Sequence, residues 1–308
     1  MNKTGSVKFG ILWNSLQQFG QLGITFVSTI ILARLLTPED YGIYGILMIF
    51  ISVSEMLADS GIAGYIIKKQ NVTPIYYDTL FVYNMCVSGI MYLFLFFSAP
   101  FIADFYEKEM LISVIRILGL VLLLHAFSIT QFTRLLKDLQ FHKLALISIV
   151  AGVAALCVAL LLAYRGLGIW ALIFQQLVLV ALTTILYLVV NRRIPHFRFD
   201  MRVFKEQFAF GINLFGSSVL MAITNNIGNN IIAKIFSMNI AGLYVQAVRL
   251  QNYPLSMVSN VVDKTFFPIF SKMNDDWRLL KEQICKLRRL LYAVLFPLFS
   301  VAICFAKP

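Results

Sequence analysis

The chain has 308 residues, of which 59% are hydrophobic and 13% charged, with 27 Phe, a net charge of +11 and a mean hydropathy of +0.80. About a quarter of an ordinary soluble domain is charged, so a water-soluble globule of this length is excluded. A basic balance of this size would suit nucleic acid only if it lay on one soluble face, and the placement of the charges argues against such a partner. Cys86, Cys157, Cys285 and Cys304 are scattered without C-x-x-C spacing, which fits neither a disulfide framework nor a zinc site.

A membrane-spanning helix needs roughly 20 mostly apolar residues. The basic N-terminus MNKTGSVKFG leads into such a run without a small-residue cleavage site, so it reads as a retained first helix rather than a signal peptide. Nine spans are predicted in chain order: 10–33, 41–60, 79–103, 110–130, 144–164, 168–190, 208–235, 242–269 and 289–306. With a cytoplasmic N-terminus, eighteen Lys and Arg fall in cytoplasmic segments and four (Arg34, Lys108, Arg165, Lys234) on the other side. Every connection then obeys the positive-inside rule or is neutral.

Residues 29–44 and 229–244 match at a constant offset of 200. Ile31, Ala33, Gly42 and Tyr44 recur as Ile231, Ala233, Gly242 and Tyr244; Arg34 falls on Lys234 and Thr37 on Ser237. Self-similarity at one offset marks a repeated architecture. An even number of spans separates the copies, which gives both repeats the same orientation. The expected fold is an all-α polytopic membrane protein with two repeat-related helical lobes around a central cavity. Residues 1–206 form the first six-helix lobe and its cytoplasmic linker, and 207–308 the first three helices of a second, incomplete lobe. Segments 191–207 and 270–288 mix aromatic and basic residues and read either as interfacial stretches favouring anionic lipid or as ordinary positive-inside flanks.

Polar side chains inside a bilayer are costly and mark function or packing. The first span carries Asn14, Gln17, Gln21, Thr25 and Ser28 on one helix face, with Gln18 beside it. Its repeat counterpart carries Asn213, Ser217, Asn225, Asn226, Asn229 and Asn230. Amides both donate and accept, which suits sugar hydroxyls. The two stripes read as walls of a wet cavity, against the alternative of helix–helix hydrogen bonding. On the eighth span Arg249, Asn252, Ser256, Asn260 and Asp263 share a face near Pro254. Arg249 suits either a phosphate or an ion pair with an acid such as Glu55 or Asp59. Those two carboxylates, one turn apart on the second span, are candidates for binding a coupling cation or proton, or for neutralising Arg249 or the Lys68–Lys69 pair. Arg116 is expected to snorkel outward, and the lone intramembrane His125 reads as a packing residue. No P-loop, H-E-x-x-H or G-x-S-x-G signature occurs, so no catalytic site, metal site or cofactor is expected.

Four stretches carry a family resemblance: ILARLLTPEDYGIYGI (31–46), ADSGIAGYIIKKQNVTP (58–74), QFTRLLKDLQFHKLA (131–145) and FFPIFSKMNDDWRLLK (266–281). They resemble the polysaccharide transporter family of the multidrug/oligosaccharidyl-lipid/polysaccharide exporter superfamily, nearest its colanic-acid and teichuronic-acid exporter branch. The resemblance implies a multi-pass flippase in the bacterial cytoplasmic membrane. It would move a polyprenyl-pyrophosphate-linked oligosaccharide by alternating access, coupled to a cation or the membrane potential. Glycosyltransferases and a polysaccharide polymerase are the implied partners. A multidrug or cation antiporter of the same fold is the alternative, and a membrane scaffold a third reading. Because family members continue well past a third helix of the second lobe, the chain reads as truncated after its ninth span.

Overall fold

The structure is a computed structural model that describes residues 3–59, 62–192 and 195–261, with scattered helical positions between 281 and 300. The described residues form nine helices and no strand: α1 Lys3–Leu35, α2 Pro38–Asp59, α3 Ile62–Lys68, α4 Pro74–Tyr106, α5 Met110–Lys137, α6 Phe141–Tyr164, α7 Ile169–Asn191, α8 Met201–Ile235 and α9 Met238–Val261. Six of them, α1, α2 and α4 to α7, are long and apolar enough to cross a membrane. The chain is an all-α, multi-pass membrane protein. The asparagine-rich α8 is long enough to cross but is not among those six.

Contacts divide the chain into two units, residues 1–246 and 247–308. Within the first, α5 packs on α4 and α7, α6 on α7 and α1, and α2 on α8. Ala151, Ala155, Ala159 and Ala163 repeat every fourth residue on α6, and all are buried. Small residues let helices approach closely where lipid offers no hydrophobic drive to associate. Tyr41, Ile46 and Leu47 of α2 meet Leu95 of α4, Leu118 and Leu122 of α5 and Leu172 of α7 in the largest core cluster. Phe94, Phe97, Phe101 and Phe105 instead stand exposed along one face of α4. In water that stripe would be an aggregation patch; in a bilayer it is the lipid-facing wall. The Arg116 guanidinium lies 4.3 Å from the centroid of the Phe96 ring, a cation–π contact between α5 and α4.

The repeated stretch starts two helices with the same device. Thr37 caps α2: its Oγ1 accepts from Asp40 N at 3.3 Å, while Asp40 Oδ2 accepts from Thr37 N at 3.0 Å and from its hydroxyl at 2.8 Å. Pro38 then occupies the first helical position, where no N–H is needed. Two hundred residues on, Ser237 Oγ accepts from Ile240 N at 3.2 Å and caps α9. Just after each cap the two copies touch. A Cβ on Gly42 would lie 2.1 Å from Met238 O, and one on Gly242 only 1.6 Å from Pro38 O. Pro38 and Met238 are themselves 200 apart, so the contact is reciprocal, as across a two-fold axis.

Helix α3 was not expected. Ile62 and Ile66 bury completely against Tyr77 and Leu80, and the Lys137 ammonium closes its C-terminal end by donating to the carbonyls of Ile66 (2.8 Å), Ile67 (3.5 Å) and Lys69. A cation there satisfies orphan carbonyls and the negative end of the helix together. The predicted interfacial segment 191–207 is interrupted by α8, which starts at Met201 with Asp200 Oδ1 accepting from Arg202 N at 2.8 Å and Val203 N at 3.4 Å. The segment 270–288 and the ninth predicted span lie almost wholly outside the described residues.

Candidate functional site

The glutamines of α1 face a chamber of about 530 Å³ bounded by α1, α3, α5, α6 and α7. Gln17, Gln18 and Gln21 form one wall, His125, Ser128 and Thr133 of α5 another, and Ser148, Thr183 and Tyr187 close it from α6 and α7. Ala63 and Ile67 of α3 line it as well. The hydroxyls donate back to their own helices: Ser128 to His125 O at 2.9 Å, Thr133 to Ile129 O at 2.7 Å, Ser148 to Ala145 O at 3.1 Å and Thr183 to Leu179 O at 2.5 Å. Their oxygens keep lone pairs free to accept. Gln21 Oε1 and His125 Nδ1 are buried and have no hydrogen-bond partner among the described residues, although buried polar atoms are nearly always paired. Phe132 and Tyr187 add aromatic faces, their ring centroids 6.3 Å apart. No Asp, Glu, Lys or Arg lines the chamber among the described residues. Uncharged donors and acceptors beside aromatic rings can hold water or a neutral polyhydroxyl group, and the volume is within the usual range of ligand pockets.

Gln17 and Gln21 are thus brought together with α5 and α7. The side chains of Asn14 and Asp59, and all of Asp263, lie outside the described residues. The α8 stripe is used differently. Asn226 Nδ2 donates to Ala222 O at 2.8 Å; Asn230 Nδ2 donates to Asn226 O at 3.1 Å, and its Oδ1 accepts the Tyr106 hydroxyl at 3.0 Å. Asn229 is 5% exposed, and a Cβ on Gly45 would lie 2.2 Å from its Nδ2. Asn225 is exposed. None of these four lines the chamber. In the second unit, Arg249 is half-buried and Asn252 exposed on α9. Glu55 is half-buried on α2.

The residues missed from sequence are His125, Ser128 and Thr183. A weak signal existed, since His125 and Ser128 sit three apart on α5 and share the face that carries Phe132. What single-helix periodicity does not contain is that this face meets the glutamines of α1.

A second space, about 480 Å³ and almost wholly apolar, opens between α2 and α4. Ile49, Phe50, Val53 and Leu57 form one side and Met91, Phe94 and Leu95 the other, with Asn230 at its edge.

Polar ties join the helix ends. Lys69 Nζ donates to Tyr76 Oη at 2.6 Å, to Tyr65 Oη at 3.2 Å and to Glu206 Oε2 at 3.1 Å; both tyrosine hydroxyls also reach that carboxylate, at 2.9 and 3.1 Å. Lys69 therefore finds its acid on α8 rather than on α2. Hydrogen bonds to Tyr76, Tyr65 and Glu206 hold the Lys69 ammonium well above its ordinary value, and those from Lys69, Tyr65 and Tyr76 hold the Glu206 carboxyl below its own. At the opposite end Lys108 pairs with Glu39 at 2.6 Å and Lys234 with Glu107 at 3.7 Å.

A family profile described as polysaccharide biosynthesis protein matches residues 31–308. Over 297 residues, 96% of this chain, the sequence is 26% identical to the teichuronic acid biosynthesis protein TuaB of Bacillus subtilis. It is 26% identical to the succinoglycan biosynthesis transport protein ExoT of Rhizobium meliloti over 86% of the chain, and 24% identical to the lipopolysaccharide biosynthesis protein WzxC of Escherichia coli over 94%. The matches span 62%, 53% and 59% of those relatives' own lengths. No solved structure matches the chain.

Proposed function

The chain belongs to the polysaccharide biosynthesis protein family, and from that premise we propose that it acts in an exporter of a polyprenyl-pyrophosphate-linked oligosaccharide, carrying it across the bacterial cytoplasmic membrane. The observation that carries this reading is the chamber walled by Gln17, Gln21, His125, Ser128 and Thr183. It is a neutral, hydrogen-bonding space within the membrane-crossing helices, next to unmet polar atoms, and a glycan's hydroxyls would meet them. The apolar groove between α2 and α4 supplies the opposite chemistry, a wall for the polyprenyl chain. Transport of this kind breaks no covalent bond, so the reading needs no catalytic residue and no cofactor. A coupling cation or the membrane potential would drive it.

The finer architecture belongs to the same proposal: two like-oriented lobes with a cytoplasmic N-terminus. The reciprocal approach of Gly42 to Met238 and of Gly242 to Pro38 supports the repeat, and the eighteen-to-four partition of Lys and Arg supports the orientation. A drug or cation antiporter of the same fold would call for an acidic cavity, and among the described residues no carboxylate lines the chamber.

The test is export of cell-surface polymer in a strain deleted for its own exporter, complemented with wild-type protein or with Gln21→Leu, His125→Leu and Arg249→Ala. Gln21→Leu and His125→Leu are expected to cut polymer export several-fold at unchanged membrane abundance. Wild-type export from both overturns the chamber assignment, and a gain of drug resistance on overexpression would favour the antiporter.

A further inference from the structure

A larger cavity, about 840 Å³, lies at the end of the bundle where α4 begins and α5 and α7 finish. It is separate from the glycan chamber. Successive residues turn about 100° around a helix, so Arg134, Lys137 and Asp138 fall on the face of α5 opposite His125 and Ser128. Three cations line it, Arg134, Lys137 and Arg192, against two carboxylates, Asp78 and Asp138. Not all of these face a ligand. Lys137 is engaged with the carbonyls that end α3, and Asp78, 4% exposed, accepts from the backbone N–H of His196 at 3.1 Å.

Arg134 is braced, its guanidinium 4.6 Å from the centroid of the Tyr77 ring. Arg192 ends α7 in a left-handed conformation (φ 49°), and its side chain is exposed. The cavity also receives the first turn of the 33-residue α4, whose cap Thr73 makes no side-chain hydrogen bond to it. That start is positive and the ends of α5 and α7 are negative, so the anion selectivity of the cavity rests on its side chains, Arg134 and Arg192 against Asp138, rather than on the helix ends. Planar guanidinium forks match phosphate oxygens in pairs, and helix ends of a spanning bundle stand at the level of lipid headgroups.

We propose that this cavity is a binding site for a phosphate-bearing headgroup, with Arg134 and Arg192 as its anion contacts. The shared chemistry is a phosphate ester at the membrane surface, whether from an acidic phospholipid or from a soluble phosphate.

The test uses the protein in phosphatidylcholine nanodiscs, with phosphatidylglycerol in one arm and sodium pyrophosphate in the other, read by native mass spectrometry and calorimetry. Loss of one charge-assisted contact should weaken binding about tenfold or more. That loss is expected in Arg134→Gln and in Arg192→Asn, the latter keeping a residue that tolerates φ > 0. Arg134→Lys should fall between Gln and wild type, and Arg202→Gln, outside the cavity, should match wild type. Phosphatidylglycerol binding alone identifies a lipid headgroup, and pyrophosphate binding as well identifies phosphate from either source. Binding of neither probe, or equal loss in Arg202→Gln, overturns the site. Should Arg134→Gln fail to fold, the exposed Arg192→Asn carries the test. Binding in nanodiscs is read without transport, so its failure leaves the exporter reading standing, and a failed export assay leaves this site standing.

Discussion

Replacing Gly242 by Ala tests the contact that joins the two copies of the repeat. A methyl there would sit 1.6 Å from Pro38 O, and the obstacle is a backbone carbonyl that cannot rotate away. To restore an ordinary separation of about 3.4 Å the segments must part by roughly 1.8 Å, which forfeits much of the dispersion energy of the surrounding contact. Overpacking costs about 1–3 kcal/mol where side chains can adjust, and a backbone-on-backbone clash belongs at the upper end. Against this stands a gain of about 1 kcal/mol, because Ala is the better helix former. The net is a destabilisation of about 2 kcal/mol, a fall of roughly 4 °C or more in apparent melting temperature. Gly89→Ala on α4, where a Cβ meets nothing within 4 Å, keeps only the favourable part and should melt at or above wild type. Gly42→Ala should share the sign of Gly242→Ala. Because both methyls enter one reciprocal contact, the double substitution should cost less than the two single costs combined. The assay is thermal unfolding in one detergent, followed by intrinsic fluorescence. A Gly242→Ala protein as stable as Gly89→Ala would refute the close approach and the two-fold relation drawn from it.

Two further outcomes follow from the same geometry. The Glu206 carboxyl is held below its ordinary value, so its tie to α3 is fully present above the unfolded carboxylate range and is lost as pH falls through the lowered value. The Lys69 ammonium is raised, so its share is lost only as pH climbs past that raised value. Hydrogen exchange of residues 62–69 should therefore be flat from neutral pH down to about 5 after correction for intrinsic rates and rise below it. Glu206→Gln should already show at neutral pH the faster exchange that the wild type reaches only in acid, and an unchanged rate at neutral pH would remove the tie. Asn229 is buried, and neither polar atom of its side chain has a partner among the described residues, so Asn229→Leu should leave export intact and stabilise by about 1 kcal/mol. Lost export at normal abundance would instead make Asn229 part of a wet wall.

Of the nine predicted spans, the first six fall on α1, α2 and α4 to α7, the described helices long and apolar enough to cross a membrane, because the lipid core imposes a similar length on each. Hydropathy ended them early because the helix outlasts the apolar run. The predicted span 110–130 is the apolar part of Met110–Lys137, whose last turns carry Thr133, Arg134 and Lys137. The last carbonyls still inside the lipid need N–H donors from the following turn, so the helix continues past the point where hydropathy stops. Helix α3 escaped notice for a different reason. Its seven residues, IAGYIIK, are too few for periodicity and include a glycine, and the Lys137 cap that holds it comes from 70 residues away. Lys69 illustrates the same limit, since the sequence offered Glu55 and Asp59 as nearby acids and the fold supplies Glu206 from α8. The two glycines of the matching stretches were legible in the sequence, and Gly42 and Gly242 are where the two backbones come closest.

The two amide stripes looked equivalent in sequence and are not equivalent in space, and side-chain length contributes to the difference, although Asn191 also reaches across, to Gln131 O at 3.2 Å and Oε1 at 2.8 Å. Asn84, Asn226 and Asn230 each donate to the carbonyl four residues back on their own helix, at 2.8 to 3.1 Å. An Asn amide is short enough to fold onto its own backbone, so an intramembrane Asn can pay its desolvation cost without a neighbour. Gln carries its amide past that carbonyl and bonds across: Gln175 to Ser28 Oγ at 2.8 Å, Gln207 to Tyr76 O at 3.1 Å. A row of Gln facing one space is thus stronger ground for a wet chamber than a row of Asn. Gln17 and Gln21 of α1 line such a space, and the α8 asparagines line none of it. The proposed glycan chamber accordingly rests on the first stripe, while Asn226 bonds its own helix and Asn230 bonds both its own helix and Tyr106 of α4.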